Sequence, residues 1–270
     1  MGIVIAVISG KGGVGKTTTT ANIGLGIAQN GKKCVVVDFD IGQRNLDMLL
    51  GLENRVVYDM VHVMDEGVSL KQALIKSKMD SNLSFLAASQ TKDKSVLDSD
   101  KIYKLIEDLK AEFDFVILDA PAGIESGYEH TIEFADRALV VVNPEVSSIR
   151  DSDRAIGILD SKSKKVKDGQ EVDKFLIINR IDPKMVQSGE MLNSEDILEI
   201  LSIPLIGKIP EDKGIIDASN QGKPIILDAN SKAGQAYKRV ASRICGEKVD
   251  FVDVESESAG FMQKIKGMFL

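Results

Sequence analysis

The chain has 270 residues, of which 43% are apolar and 28% charged, and its net charge is −7. That length supports one α/β domain with a large core, and the composition is that of a soluble globular chain. The acidic balance argues against a general nucleic-acid binder, so no nucleic-acid partner is expected.

The first element is Ile3–Ile8, a short β-branched strand. It runs into Ser-Gly-Lys-Gly-Gly-Val-Gly-Lys-Thr-Thr at 9–18, and then into a helical stretch over Thr18–Gln29. Strand, glycine loop and helix form the setting of a phosphate loop, and Gly10, Gly15, Lys16 and Thr17 fit G-x-x-x-x-G-K-[ST]. In such a loop the backbone N–H groups of Gly10–Thr18, including Lys11, Gly12, Gly13 and Val14, wrap nucleotide phosphates. Lys16 reaches the β- and γ-phosphates and the Thr17 hydroxyl ligates Mg²⁺. ATP and Mg²⁺ are therefore the expected ligands. Lys11 is a second cation inside the loop, which an ordinary phosphate loop does not need.

Further buried strands are expected at Cys34–Val37, Phe115–Leu118, Ala138–Val142, Phe175–Ile178 and Leu205–Ile209, with a weaker one at Leu83–Ala87. Helices are expected at Asp100–Glu112, with Ile102, Leu105, Ile106 and Leu109 on one face, and at Ser194–Leu201. Alternating strands and helices imply an α/β fold: a mostly parallel twisted sheet flanked by helices, with ligands at the carboxyl ends of its strands. Two acidic motifs sit at such ends, Asp38-Phe39-Asp40 and Asp119-Ala120-Pro121-Ala122-Gly123. Asp119 suits a Mg²⁺ role, directly or through water. Asp40 suits orienting or deprotonating the attacking water, and Asp38 supporting the Mg²⁺ shell; the pattern alone does not divide these roles. Gly123 lies in a loop suited to switching on a γ-phosphate contact.

Cys34 and Cys245 suit a reducing compartment and, like His62 and His130, lack metal-ligand spacing. No run is long enough to cross a bilayer. Ile3–Ile8 has neither a basic start nor a cleavage site, so no signal peptide is expected.

After an ATPase domain over residues 1–246, the composition changes. Residues 247–260 read as a solvated acidic linker, with Glu247, Asp250, Asp253, Glu255 and Glu257 against Lys248. In the final segment, 261–270, Phe261, Met262, Ile265, Met268 and Phe269 share one helical side, flanked by Lys264 and Lys266. That is the pattern of an interfacial helix on anionic lipid. Each buried apolar side chain contributes roughly 1.5–3 kcal/mol and each lysine about 1, against on the order of 1–2 kcal/mol per ordered residue. One tail should bind weakly, and two on a dimer gain roughly 10²–10⁴ in avidity.

The run K-G-G-x-G-K-[ST] resembles the deviant Walker A ATPases, a group that includes MinD, ParA and the nitrogenase iron protein. D-F-D-I-G-Q-R-N-L-D at 38–47, V-V-Y-D at 56–59, N-P-E-V-S-S-I-R-D-S-D-R at 143–154, I-P-E-D at 209–212 and A-S-N-Q-G at 218–222 resemble the MinD branch. This resemblance implies an ATP-sandwiched homodimer in which Lys11 touches the partner's nucleotide. It implies adenine recognition by Asn179 and Arg180, aided by backbone around Pro210, Glu211 and Asp212, with Glu145 and Asp151 near the dimer interface. Arg44 and Asn45 would belong to a partner-facing surface that changes with nucleotide. It also implies a cytoplasmic protein, reversibly peripheral on the inner face of the membrane. Its partners would be a MinC-type division inhibitor and a MinE-type or other topological factor. Gln43 and Ala120 depart from the residues expected there. ParA-like or flagellar-number positioning is the alternative, and a phosphate-loop ligase a more distant one. A nitrogenase-like redox role lacks its cluster cysteines.

Overall fold

The computed structural model describes residues 1–92, 96–124 and 127–255. The expected membrane helix at 261–270 lies outside these residues. The strands are β1 (Ile3–Ile8), β2 (Cys34–Asp38), β3 (Ile75–Lys76), β4 (Leu83–Leu86), β5 (Phe115–Asp119), β6 (Arg137–Val142), β7 (Asp173–Ile181) and β8 (Leu205–Pro210). The helices are α1 (Lys16–Gln29), α2 (Leu46–Leu49), α3 (Met60–Asp65), α4 (Leu70–Ala73), α5 (Ser99–Glu112) and α6 (Tyr128–Glu133). They continue with α7 (Val146–Lys162), α8 (Lys164–Lys167), α9 (Pro183–Ser188), α10 (Ser194–Leu201), α11 (Gly214–Asn220) and α12 (Lys232–Ile244).

The strands form one sheet in the order β3-β4-β2-β5-β1-β6-β7-β8. Every neighbouring pair is parallel except β3 with β4. Parallel neighbours need crossovers, and the crossover helices cover both faces. Side chains alternate accordingly. Ile5 and Val7 join the core on one face, with α1 and α12 residues such as Leu25 and Tyr237. Ala6 and Ile8 point the other way, into a core shared with Ile149 and Leu159 of α7, while Val4 meets the α5 cluster of Ile102, Leu105, Ile106 and Leu109.

Helix α1 lies close to its neighbours because it carries two glycines. A Cβ at Gly24 would come within 2.3 Å of Val36, and one at Gly26 within 2.6 Å of Ala241 on α12. The hydroxyls of Thr19 and Tyr237 meet at 3.2 Å, and Asn22 Oδ1 accepts from the Ile226 N–H at 2.8 Å. The phosphate-loop helix is thus fastened to the C-terminal part of the domain.

Of the expected acidic linker the structure describes residues 247–255: 247, 248 and 250–253 are exposed, while Val254 is buried in the α7-side core and Arg243 holds the carbonyls of Val249 and Asp250. Among the described residues no helix is long and apolar enough to cross a membrane.

Candidate active site

The carboxyl ends of β1, β2, β5, β6, β7 and β8 share one edge, and each delivers part of the site. The loop after β1 is built by backbone. Buried Ser9 donates its hydroxyl to the Lys11 carbonyl at 2.8 Å. Gly15 takes φ +96° at the N-terminus of the 14-residue helix α1, a conformation that only glycine adopts readily. A Cβ there would also strike Asn179 Nδ2 at 2.4 Å. Among the described residues no side chain caps this helix, so its first N–H groups face the loop, the arrangement that receives phosphate.

Lys16, in the first turn, is only 6% exposed. Burial pulls its pKa below the usual lysine range, and the charges of Asp119 and Asp40 push back. Asp119 at the end of β5 is buried and accepts from the Thr20 hydroxyl at 2.8 Å and from the Thr17 hydroxyl. Asp38 at the end of β2 is its register partner across the strands. Burial raises both carboxyl pKa values, and the proximity of Asp119 raises that of Asp38 further. An added cation at this point would relieve that strain, and Thr17 with Asp119 supplies the hard oxygens Mg²⁺ prefers. Among the described residues no group of three or more His, Cys, Asp or Glu forms a metal cage. The fit is that of a Mg²⁺ held mainly by phosphate and water.

Asp38 has a more specific task than the sequence could assign. Its Oδ1 accepts from the Asp40 N–H at 2.9 Å, and its Oδ2 from the Asn45 and Leu46 N–H groups at 3.2 Å each. It pins both ends of the 40–46 segment, leaving half-buried Asp40 beside Lys16. Within that segment Gln43 and Asn45 are exposed, whereas Arg44 Nε folds onto Asp47 Oδ2 at 2.6 Å.

The residues named for adenine divide. Asn179, on β7, is 3% exposed; its amide N–H donates to the Val14 carbonyl at 2.7 Å, and its Oδ1 is buried with no partner. An exocyclic amine would satisfy that acceptor. Arg180 is exposed with φ +57°. Glu211 N–H is already used on the Ile181 carbonyl at 2.9 Å. The Asp212 carboxylate accepts from Ser231 Oγ at 2.7 Å and from Gly214 N–H at 2.9 Å, fixing the starts of α11 and α12; the bonds to Ser231, Gly214 and Ala233 outweigh its burial and lower its pKa.

Lys11 reaches back within its own chain. Its Nζ lies 2.9 Å from Glu145 Oε2 and 3.0 Å from Ser147 Oγ, at the start of α7. Gly10 packs against the backbone of Asp151 and Ser152, and Gly10, Gly12, Ala122, Gly123, Asp151 and Arg154 line a cavity of about 400 Å³ beside the loop. The sequence reading missed Thr20, Ser147 and Asn143, whose Oδ1 is a second buried acceptor without a partner. Thr20 was findable, since i+3 from Thr17 puts it on the same helical side.

A glycine loop between β1 and α1, with a buried lysine facing a strand-end aspartate, defines a P-loop nucleoside triphosphatase. The model of the AAA domain family matches residues 2–168. Over 269 residues, covering all of both chains, the sequence is 57% identical to the septum site-determining protein MinD of Helicobacter pylori. Among solved structures, the MinC:MinD cell division complex of Aquifex aeolicus matches with TM-score 0.84 and 46% identity, covering 93% of this chain and 99% of that one. The Pyrococcus horikoshii MinD complexed with Mg-ADP matches with TM-score 0.78 and 28% identity, over 90% and 96% of the two chains. The chain belongs to the MinD family of P-loop ATPases.

Proposed function

We propose that this chain is a Mg²⁺-dependent ATPase that dimerises around ATP, docks on the inner membrane face through residues 261–270, and positions the division site by recruiting a MinC-type inhibitor. The observation that carries the catalytic part is the buried Lys16 facing Asp119, Thr17 and Thr20 at the mouth of the loop. Support for the partner comes from the MinC:MinD complex of a relative. Support for membrane docking comes from the amphipathic tail. A MinE-type or other topological factor would act at the exposed Gln43–Asn45 surface.

Loop N–H groups and Lys16 hold the β- and γ-phosphates, and the buried Asn179 Oδ1 accepts from the adenine amine. Thr17 and Asp119, the latter directly or through water, would hold Mg²⁺, which neutralises charge on the β- and γ-oxygens when bound. Asp38 is a positioning residue that fixes the 40–46 segment. Asp40 orients the attacking water and takes its proton. The water oxygen bonds to the γ-phosphorus as the bond to the β–γ bridging oxygen breaks, giving ADP and phosphate. Lys11, leaving Glu145, meets the charge developing on the partner's nucleotide.

Cosedimentation with anionic vesicles tests this reading. Binding should require ATP and residues 261–270; equal binding with ADP would defeat the switch. Asp40→Ala should bind ATP and stay on vesicles while turnover falls by about 10²–10⁴, the usual worth of a positioned base. Normal phosphate release by that variant would remove Asp40 from the mechanism.

A further inference from the structure

Residues 247–255 do not extend the tail's reach. They form a strap along the edge strand β8, and its anchors are specific. The Arg243 guanidinium, near the end of α12, donates to the carbonyls of Ile206 at 2.8 Å, Val249 at 2.9 Å and Asp250 at 2.8 Å, and lies 3.9 Å over the Phe251 ring. Val254, 4% exposed, enters the core cluster of Ile181, Ile197 and Leu201. One oxygen of Glu255 accepts from the Ser194 N–H at 3.2 Å and from the Ser194 hydroxyl, and pairs with Lys208 Nζ at 3.4 Å. The Glu255 N–H donates to Asp253 Oδ1 at 2.9 Å, turning the chain into this seat. The buried contacts come at Val254 and Glu255. The body therefore holds the chain at least as far as residue 255, beside the start of α10 and away from the end of α12.

We infer that the Val254–Glu255 anchor is a positioning device for membrane docking: it shortens the stretch of chain between the body and the lipid-binding segment and so sets the avidity of the dimer for an anionic lipid surface. This rests on the membrane reading above. Composition puts 14 residues, 247–260, between body and tail, whereas the anchored strap leaves at most five, 256–260. At 3.3–3.6 Å per residue, five residues reach no more than about 18 Å. Effective concentration falls roughly as the −3/2 power of tether length, so releasing the strap should weaken second-tail engagement about fivefold. A single tail does not depend on that tether length, so monovalent binding stays unchanged. The exposed acids Glu247, Asp250 and Asp253 give the strap a further reason to stay on the body, since each would be repelled by an anionic bilayer.

The test uses the full chain and vesicles of equal phosphatidylcholine and phosphatidylglycerol. One variant combines Arg243→Ala, Val254→Asp and Glu255→Ala to release the whole strap. Another inserts nine Gly/Ser residues after Glu255, restoring the longer tether with the strap docked, and it decides the matter if the first fails to fold. With ATP both should bind about fivefold more weakly, with ADP-state binding and nucleotide affinity unchanged. Parental ATP-state binding by both variants overturns the inference, as does an equal loss with ADP. An unaltered chain that binds no vesicles in either state defeats the membrane reading itself, a result separable from all of these.

Discussion

Lys16→Ala should abolish useful nucleotide binding, while Lys11→Ala should keep it and lose everything that follows. The two lysines lie five positions apart in one loop but in opposite environments. Lys16 is buried, close enough to Asp119 and Asp40 to feel both charges. Removing one partner of a buried, hydrogen-bonded charge pair costs roughly 2–5 kcal/mol, or about 30- to several-thousand-fold in affinity. Lys11 is 41% exposed, and its ion pair with Glu145, itself 48% exposed, is of a kind worth about 0–1 kcal/mol. Truncating it should leave fold and ATP affinity within about fivefold of the parent. On the proposed dimer mechanism, though, Lys11 supplies charge in trans, a contribution of about 10³–10⁵ in rate for a cation in that position. Titration with a fluorescent ATP analogue separates the first effect, and sedimentation with ATP followed by phosphate release separates the second. A Lys11→Ala chain that still dimerises with ATP would mean that the Glu145 contact is the whole purpose of this lysine.

The parts of the fold that sequence made legible are those where a single local rule decides. Continuous β-branched runs gave β1, β2, β5, β6 and the heart of β7 within a residue or three, because strands covered on both faces need no alternation. The phosphate loop was legible because backbone wrapped around an anion demands glycine at fixed intervals. Helices α7 and α12 were passed over, for different reasons. The buried side of α7 includes Ser148, Ser152 and Ala155, small residues that weaken the apolar stripe by which a helix is recognised. That of α12, with Ala233, Ala236, Tyr237, Val240, Ala241 and Ile244, keeps the i, i+3, i+4 spacing in full and was open to a closer reading. The two residues of β3 are too few to carry any period.

The site shows the same division. Asp38, Asp40 and Asp119 were placed by strand ends, but their division of labour depends on which backbone N–H groups curl back, and Asp38 receives three. Lys11 and Glu145 stand 134 positions apart, a pairing that belongs to topology and not to local pattern. Asn179 lies inside an apolar strand run, and its orphaned oxygen becomes visible only once the Val14 carbonyl is seen to occupy its amide. The docking of the strap was hidden for a related reason. Its acids dominate the composition, while the anchoring depends on Val254, on one of those acids, Glu255, and on Arg243, which sits outside the segment.

Gly10→Ala should destabilise the domain far more than Gly13→Ala, although both alter the same loop by one methyl group. Gly13 has φ +77° and nothing within 4 Å of an added Cβ, so the penalty is conformational alone, about 1–2 kcal/mol for a left-handed non-glycine residue. At Gly10 the obstacle is space: a Cβ would sit 1.9 Å from the Asp151 carbonyl oxygen, 2.0 Å from its carbon and 2.5 Å from Ser152 N. Those atoms are backbone of α7, a 17-residue helix fixed to the core through Ile149, Ile156 and Leu159. No rotamer change makes room, so either the loop lifts off α7 or the helix shifts. Overpacking of that kind costs on the order of 3 kcal/mol or more, and the melting temperature should fall by about 6–12 °C or more, against roughly 2–8 °C for Gly13→Ala. Lifting the loop would also break the 3.4 Å hydrogen bond from Gly10 N–H to Ser152 Oγ and displace Lys11 from Glu145. Thermal unfolding of the two variants without nucleotide checks the order. If Gly13→Ala proves the more damaging, the loop is set by its own backbone strain and not by its seat on α7.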